Sequence, residues 1–504
     1  MSSLSGTRSS TEREVKFAVP PSFRMPSFEG VAEGVKASPR PSEKLSTTYL
    51  DTDDFRLARW GVSLRRRVGE GWTVKLPADD NDSLLVRTEH TFAGNYTRPP
   101  VEAVDLVRAF IRTAELRPQA SLKTLRRHVE LHDADGKRVA DVVDDQVSVV
   151  EGRRTARKFR EVEVELADDT PTRLLDDVVD RLRQAGTSRP DPTPKYLRAL
   201  GQRAPERPEV RIAKIGSKAS AGEVIRSALA RSVVRLIEHD PVVRLDLDSE
   251  GVHEARVATR RLRSDLRTFR SLLDSAWTMA LRDELGWLAN LLGDVRDGDV
   301  LLERLRRPVA ELPDADKQRV VVVLGSAQAM RDEAQRALIA TLRGERYFTL
   351  LDSLVVAANA PPLRSEASSP ATDILPNLVR GPWRSLAKTV KSLPDTPSDA
   401  ELHDVRIRTK RLRYATEATA AVGGRRARKL ARRAAELQDV LGDLNDSVFA
   451  ERWLREAGSD TSSASEAFAA GELAGLEWAT ADRCRASWRR VWRKVSAPKL
   501  RRWI

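Results

Sequence analysis

From Thr11 to about Leu200 the apolar residues alternate with polar ones over short runs: EVKFAV, VSLRRRV, WTVKL, VADVVDDQVSVV and REVEVEL, separated by turn signals such as DADG. Successive side chains of a strand point to opposite faces, so this spacing predicts half-buried β-strands. At Val101 to Ala114 and at Pro171 to Gln184 the period lengthens to that of a helix. The segment GQRAPERPEVR has no period and is rich in Pro, Arg and Glu, which predicts a linker. After Ala221 long Ala/Leu/Arg/Glu stretches predict helices to the end, VVVVL at 320–324 being the main β-branched run. The expected organisation is α+β and multidomain: a β-rich unit over 8–202, a linker over 203–217 and an all-α unit over 218–500.

The helical part contains a repeat. HEARVATRRLRS at 253–264 returns as HDVRIRTKRLRY at 403–414, an offset of 150 residues, and LGDVRDGDV at 292–300 returns as LGDLNDSVF at 441–449, an offset of 149. Two motifs in one order at nearly one offset predict an internal duplication, about 220–356 and 374–500, arranged as a pseudo-twofold bundle. AANAPPLRSEASSPATD at 357–373 is the predicted connecting loop.

A length of 504 residues calls for more than one hydrophobic core. The net charge of +13 creates a field that concentrates anions: nucleic acid, anionic lipid or phosphate polymers. The single cysteine, Cys484, excludes an intramolecular disulfide, and no apolar run approaches the length of a membrane helix. A cytoplasmic protein with no membrane partner is the expectation; the oligomeric state stays open.

Charge adds a second layer to the strands. Glu12, Glu14 and Lys16 alternate with Arg13, Val15 and Phe17, so they share one face. The same holds for Arg65 with Arg67, Arg87 with Glu89, Asp141 with Asp145, and Glu161 with Glu163 and Glu165, while Lys75 ends WTVKL. Either these are solvent faces of an open sheet with charges paired across strands, or the sheet closes into a barrel with a polar interior. In the second case carboxylates would suit a hard divalent cation, and Arg and Lys would suit phosphate oxygens.

EREVK near the N-terminus has the form ExExK. Together with the Arg pair, Lys75, the Arg-x-Glu and the ExExE strand, it closely resembles the CYTH family, the triphosphate tunnel metalloenzymes, over about residues 8 to 200. The resemblance implies an eight-stranded antiparallel tunnel. It implies that Lys16, Arg65, Arg67, Lys75, Arg87 and Lys195 grip a triphosphate, and that Glu12, Glu14, Asp145, Glu161 and Glu163 hold Mg2+ or Mn2+. Glu12, Glu14, Lys16, Lys75, Glu161 and Glu163 become the implied catalytic set, with Glu89 and Asp141 in the inner charge network. SLKTLRRHVEL resembles the family's Arg-rich strand, which adds Lys123 and Arg126 as substrate ligands, with Leu125 where another basic residue is expected. The resemblance assigns no role to the insertion PSFRMPSFEGVAEGVKASPRPSEKL. His90, His128 and His132 lack triad partners and read as surface or structural residues.

In the helical half, His253, Arg256, Arg260, Arg263, Arg267 and Arg270 are spaced 3, 4, 3, 4 and 3 residues apart, one stripe on a helix, beside an apolar stripe of Ala255, Leu262, Leu266 and Phe269. His403, Arg406, Lys410 and Arg413 repeat the pattern, and RRARKLARR at 425–433 adds further positive charge. Almost no acids stand one turn away, so the stripe needs an external anion or the aspartates Asp294, Asp297, Asp443 and Asp446 of the other repeated motif. The duplicated HxxRxxxR/K and LGDxxD motifs resemble the CHAD domain, which implies polyphosphate binding by His253, Arg256, Arg260, Arg263, His403, Arg406, Lys410 and Arg413.

The functional expectation is hydrolysis of inorganic triphosphate or short polyphosphate in the tunnel, with polyphosphate bound by the helical domain. The alternatives are a noncatalytic polyphosphate-binding protein and, behind it, an adenylyl cyclase. Nucleic acid ranks low, because no RNA-recognition or zinc-finger signature accompanies the basic stripes.

Overall fold

The computed structural model describes residues 7–77, 85–94, 97–167, 170–205, 207–216 and 218–504. The chain forms two compact units, Met1–Glu209 and Val210–Ile504.

In the first unit the alternating segments become nine antiparallel strands: β1 (Thr7–Val19), β2 (Lys36–Pro39), β3 (Glu43–Asp51), β4 (Ser63–Arg67), β5 (Gly71–Pro77), β6 (Leu85–Phe92), β7 (Arg117–His132), β8 (Arg138–Glu151) and β9 (Arg154–Leu166). The order is β2-β7-β3-β4-β5-β6-β1-β9-β8, and β8 also pairs with β7. That last pairing closes every strand except β2 into an eight-stranded barrel. The sheet is therefore a tunnel with a polar interior rather than an open sheet with a solvent face.

Period-2 alternation sorts the side chains. Val15, Phe17 and Val19 of β1 and Val162 and Val164 of β9 point outward into an apolar layer with Leu175, Val178 and Leu182 of the helix α3 (Thr172–Gln184). Phe23 and Phe28 are buried in this layer, and β2 extends the edge of β7. The insertion after β1 thus covers the outer barrel wall, a role the spacing of its residues did not reveal. The helix α2 (Val101–Ile111) packs against β5, where Trp72, Val74 and Leu76 are buried. Gly71, which opens β5, sits at φ +108, and a Cβ there would lie 2.4 Å from the carbonyl oxygen of Phe92. Only glycine fits that approach.

At one end the interior is apolar. Tyr49, Leu122, Val147 and Val149 meet Tyr196, Ala199 and Leu200 of the short helix α4 (Lys195–Leu200), with the Tyr49 and Tyr196 rings stacked at 4.9 Å. Asp51, fully buried, anchors this plug. It accepts hydrogen bonds from the backbone N–H of Leu57 (2.9 Å) and Ala58 (3.0 Å) in the one-turn helix α1 (Arg56–Arg59), and from the Tyr196 hydroxyl (3.0 Å). The predicted linker is partly docked: the Glu209 carboxylate accepts from Arg112 Nη1 (3.0 Å) and Trp60 Nε1 (2.8 Å).

The second unit consists of nine α-helices among the described residues: α5 (Ala221–Leu245), α6 (Glu250–Thr268), α7 (Ser275–Arg306), α8 (Asp314–Leu342), α9 (Glu345–Asn359), α10 (Ala371–Lys391), α11 (Asp399–Ala418), α12 (Ala420–Asp460, kinked at Gly424) and α13 (Ala464–Val495). VVVVL lies inside α8, so tertiary packing overrides its β propensity. Capping boxes at Ser220–Glu223 and Ser398–Glu401 start α5 and α11. α6 and α11, which carry the first repeated motif, pack on each other, as do α8 and α13.

Candidate functional site

Barrel closure brings the charged faces of β1, β4, β5, β6, β7, β8 and β9 into one interior. The ladder register sets Glu12 opposite Arg87, Lys75 opposite Glu89, Glu14 opposite Glu165, Lys16 opposite Glu163, Arg126 opposite Asp145 and Asp145 opposite Glu161. Glu12, Glu14, Lys16, Lys75, Arg87, Asp145 and Glu161 are all buried. Ionised groups survive burial only when paired or hydrogen-bonded, and most of these are.

Lys75 Nζ lies 2.6 Å from Glu12 and 2.9 Å from Glu89. Lys16 Nζ lies 2.8 Å from Glu163 and 3.2 Å from Glu14. Burial opposes charge on Lys16, but Glu14, Glu163 and Glu161 outweigh it and hold the ammonium above its usual range. Arg65 Nη2 approaches Glu89 at 3.6 Å. Arg67 pairs with Glu70 at 2.8 Å, while burial, then Arg65 and Arg126, push its guanidinium down. Lys195, first residue of α4, reaches Asp145, Glu161 (3.1 Å) and Glu163 (3.5 Å).

Asp145, Glu161 and Glu163 each offer a carboxylate oxygen, all within 4.8 Å of one another. Neither oxygen of Glu161 accepts a well-formed hydrogen bond, although Lys195 and Arg198 (Nε at 3.3 Å) stand beside it. Burial raises its pKa, Lys195 opposes that, and Glu163 adds to it. Three converging carboxylates, one of them with both buried oxygens under-satisfied, fit a hard divalent cation. Arg87 is 5% exposed, and its Nη2 has no hydrogen-bond partner. It is a donor directed into the interior with nothing to donate to, as a phosphate-binding group requires.

Lys123 is the exception. It is exposed on the outer face of β7, because residues 123 and 126 differ by an odd number and cannot both face inward. Arg126 faces in; the inner neighbour on the other side is Thr124, which is buried. Lys123 is therefore withdrawn from the substrate ligands. Two inner residues had been left out of the site. Arg198 sits one helical turn after Lys195, and that i, i+3 spacing in KYLR was the available signal. Glu165 continues the ExExE alternation and carries no ion pair among the described residues. Burial, then Glu12, push its carboxyl up to about 7, with Lys75 opposing.

The helical unit forms a second charged constellation. His253, Arg256, Arg260 and Arg263 lie on α6 and His403, Arg406, Lys410 and Arg413 on α11, all part-exposed except His403, which is exposed. Arg260 Nη2 donates to the Tyr414 hydroxyl at 2.8 Å, which ties the two stripes together. Part of the charge is met internally: Arg256 pairs with Asp297 (2.8 Å), Arg413 with Glu417 (2.7 Å), and Arg406 approaches Asp446 at 4.0 Å. Asp443 pairs with Arg304 (3.7 Å) instead of either stripe. His403 bonds Asn445 at 2.7 Å. Arg263 Nε and Arg406 Nε are buried without hydrogen-bond partners. Burial, then Arg406, Arg260 and Arg256, push the Lys410 ammonium down to about 7. Burial is the larger cause, and the three arginines beside Lys410 add to it while Asp446 opposes them. In α12, Arg425, Arg426, Arg428, Lys429 and Arg432 are exposed.

Family models match a CYTH domain at residues 10–197 and a CHAD domain at residues 227–455. An uncharacterized protein of Mycobacterium tuberculosis strain CDC 1551 is 34% identical over 512 residues, covering 96% of each chain. The chain belongs to the CYTH–CHAD family. A second uncharacterized protein, from strain H37Rv of that organism, is 33% identical with the same coverage. Among solved structures, the CHAD domain from the plant Ricinus communis is 25% identical, covering 57% of this chain and 96% of that one, with a TM-score of 0.47. PptA from Streptomyces chartreusis is 22% identical, covering 55% of this chain and all of that one, with a TM-score of 0.45. This CYTH–CHAD protein is of the triphosphate-tunnel type, and CYTH domains are metal-dependent. No helix among its described residues is long and apolar enough to cross a membrane.

Proposed function

We propose that the tunnel hydrolyses inorganic triphosphate or short polyphosphate and that the helical unit binds polyphosphate. The observation that carries this reading is the tunnel's composition: converging carboxylates at Asp145, Glu161 and Glu163 beside buried guanidinium and ammonium groups, among them Arg87 with its unused donor. Phosphoryl transfer needs both charge types around one substrate.

In this reading Arg65, Arg67, Arg87 and Arg126 take phosphate oxygens, and Lys16, Lys75 and Lys195 exchange part of their carboxylate pairing for the substrate. Asp145, Glu161 and Glu163, with Glu12 and Glu14, would hold Mg2+ or Mn2+, which when bound neutralises phosphate charge and lowers the pKa of water. The apolar plug around Tyr49 and Tyr196 keeps bulk water from one end, so charges inside act at short range in a low dielectric. Burial and Glu12 hold the Glu165 carboxyl above its usual range, opposite Glu14 on the tunnel wall. On the helical unit, incompletely neutralised stripes from α6 and α11 suit a flexible polyanion held by many salt-sensitive contacts.

The test is phosphate release from inorganic triphosphate, with ATP alongside, in Mg2+, Mn2+ and EDTA, comparing the intact chain with Glu12→Ala/Glu14→Ala. Metal-dependent release that disappears in the double variant supports the hydrolase. Polyphosphate binding with no turnover in either metal would leave a binding protein, and cyclic AMP from ATP would make the tunnel a cyclase.

A further inference from the structure

We propose that His128, Glu130, His132 and Asp141 form a second, chemically distinct metal site, selective for a zinc-class cation, at the far end of the β7–β8 ladder. The proposal is independent of what the tunnel hydrolyses. Among the described residues two groups of potential ligands converge, and this is the one that contains histidine: His128, Glu130 and Asp141 each offer a ligand atom within 4.8 Å of the others.

Three features bring the four side chains together. His128, Glu130 and His132 alternate along β7, so they share a face, while Val129 and Leu131 turn into the apolar outer layer. Asp141 of β8 is the ladder partner of Glu130. β8 carries one extra residue, Val139, opposite the Leu131–His132 step, and there His132 Nε2 lies within 3.4 Å of Glu130 Oε2. His128 Nε2 already lies 2.7 Å from Asp141 Oδ1. Because β7 is flanked here by β2 and β8, the positions are set by two hydrogen-bonded ladders rather than a loop.

Donor chemistry separates this site from the tunnel triad. Asp145, Glu161 and Glu163 are all-oxygen and suit Mg2+ or Mn2+, whereas two imidazoles with two carboxylates suit a tetrahedral borderline cation such as Zn2+. Two arginines compete for the carboxylates: Arg40 with Glu130 at 2.6 Å and Arg138 with Asp141 at 3.5 Å. Both arginine side chains are more than half exposed, at 53% and 57%, and surface pairs of that kind contribute little against a multidentate cation. Bound metal would clamp β7 to β8 beside Glu165, which is the ladder partner of Asp141.

The experiment uses the full chain without an affinity tag, stripped with EDTA and equilibrated with Zn2+ or Mg2+. The expected result is a tightly held zinc equivalent in the intact chain and in Glu12→Gln/Glu14→Gln, with zinc affinity reduced on the order of 100-fold or more in His128→Ala/His132→Ala. The imidazole 15N resonances of the intact chain provide a readout that needs no variant: those of His128 and His132 shift with Zn2+ and not with Mg2+. Zinc uptake unchanged in the histidine variant, or no imidazole shift on zinc addition, would overturn the site.

Discussion

Arg126 holds Asp145 through two parallel hydrogen bonds, Nε to Oδ1 at 2.9 Å and Nη2 to Oδ2 at 2.6 Å. Asp145 is fully buried, so this fork is a main reason its carboxylate stays ionised; burial pulls its pKa up, and Lys195 and Arg126 together pull it lower. One aspartate therefore serves the Arg126 fork and the carboxylate triad at once. Removing the arginine leaves Asp145 with Lys195 alone. Arg126→Ala should destabilise the chain by up to about 3 kcal/mol in EDTA, and part of that loss should return in Mg2+, because a cation replaces the missing charge. Urea denaturation of both proteins with and without metal measures it; equal stability would contradict the electrostatic account.

The faces of β7 and β6 make a sharper discrimination. Arg87→Ala should lower kcat/KM for triphosphate by about 10²–10³, the usual cost of one preorganised donor to a transition-state anion. Lys123→Ala, on the outer face, should leave it within about twofold, the range of a surface substitution. Steady-state kinetics on the two variants decides which face of each strand lines the tunnel.

On the helical unit, Arg260→Ala/Arg406→Ala should weaken polyphosphate by about 100-fold or more, at about 1.5–3 kcal/mol for each charged hydrogen bond. The slope of log affinity against log salt should become shallower as well, since fewer counterions exchange. Thermal melting of the variant serves as the folding control. Full affinity with an unchanged slope would place polyphosphate elsewhere.

Lys410 predicts a pH dependence. Its folded pKa is depressed to about 7, so at pH 6 the ammonium is charged and repelled by Arg406, Arg260 and Arg256. Above pH 8 it is neutral. A bound polyanion favours the charged form and raises the pKa, so binding takes up a proton and affinity should fall as pH rises from 6 to 8.5. The sign for stability is opposite: without ligand, the penalty of the buried charge is full below 7 and is relieved as pH rises toward the ordinary lysine value. Calorimetric titration in buffers of different ionisation enthalpy reads the proton uptake, which Lys410→Arg should abolish.

The alternation of Glu12, Glu14 and Lys16 was legible because a strand has a rigid period of two, and the stripe from His253 to Arg270 was legible because a helix has a fixed period of 3.6. The same period of two puts Lys123 and Arg126 on opposite faces, since two positions three apart on a strand cannot share one. Arg198 and Glu165 were missed because their importance lies in what stands opposite them, Glu161 in one case and Glu14 in the other. The insertion after β1 showed no period, since Phe23 and Phe28 are buried by a wall that only the closed barrel provides.

By itself, then, the sequence determined which residues share a face on each strand and helix, where the β-rich part ends, and that two motifs recur in one order along the helical part. Those follow from local backbone geometry and from self-similarity. Tertiary structure alone decided that β8 returns to β7, which turns seven charged strand faces inward and makes ion pairs of residues as distant as Glu12 and Lys75. It alone decided that Arg87 keeps an unused donor while Lys16 and Lys75 do not, and that His128 and Asp141 come within a hydrogen bond of each other. Pairing across a barrel is a property of closure and register, and neither is encoded in the period of a single strand.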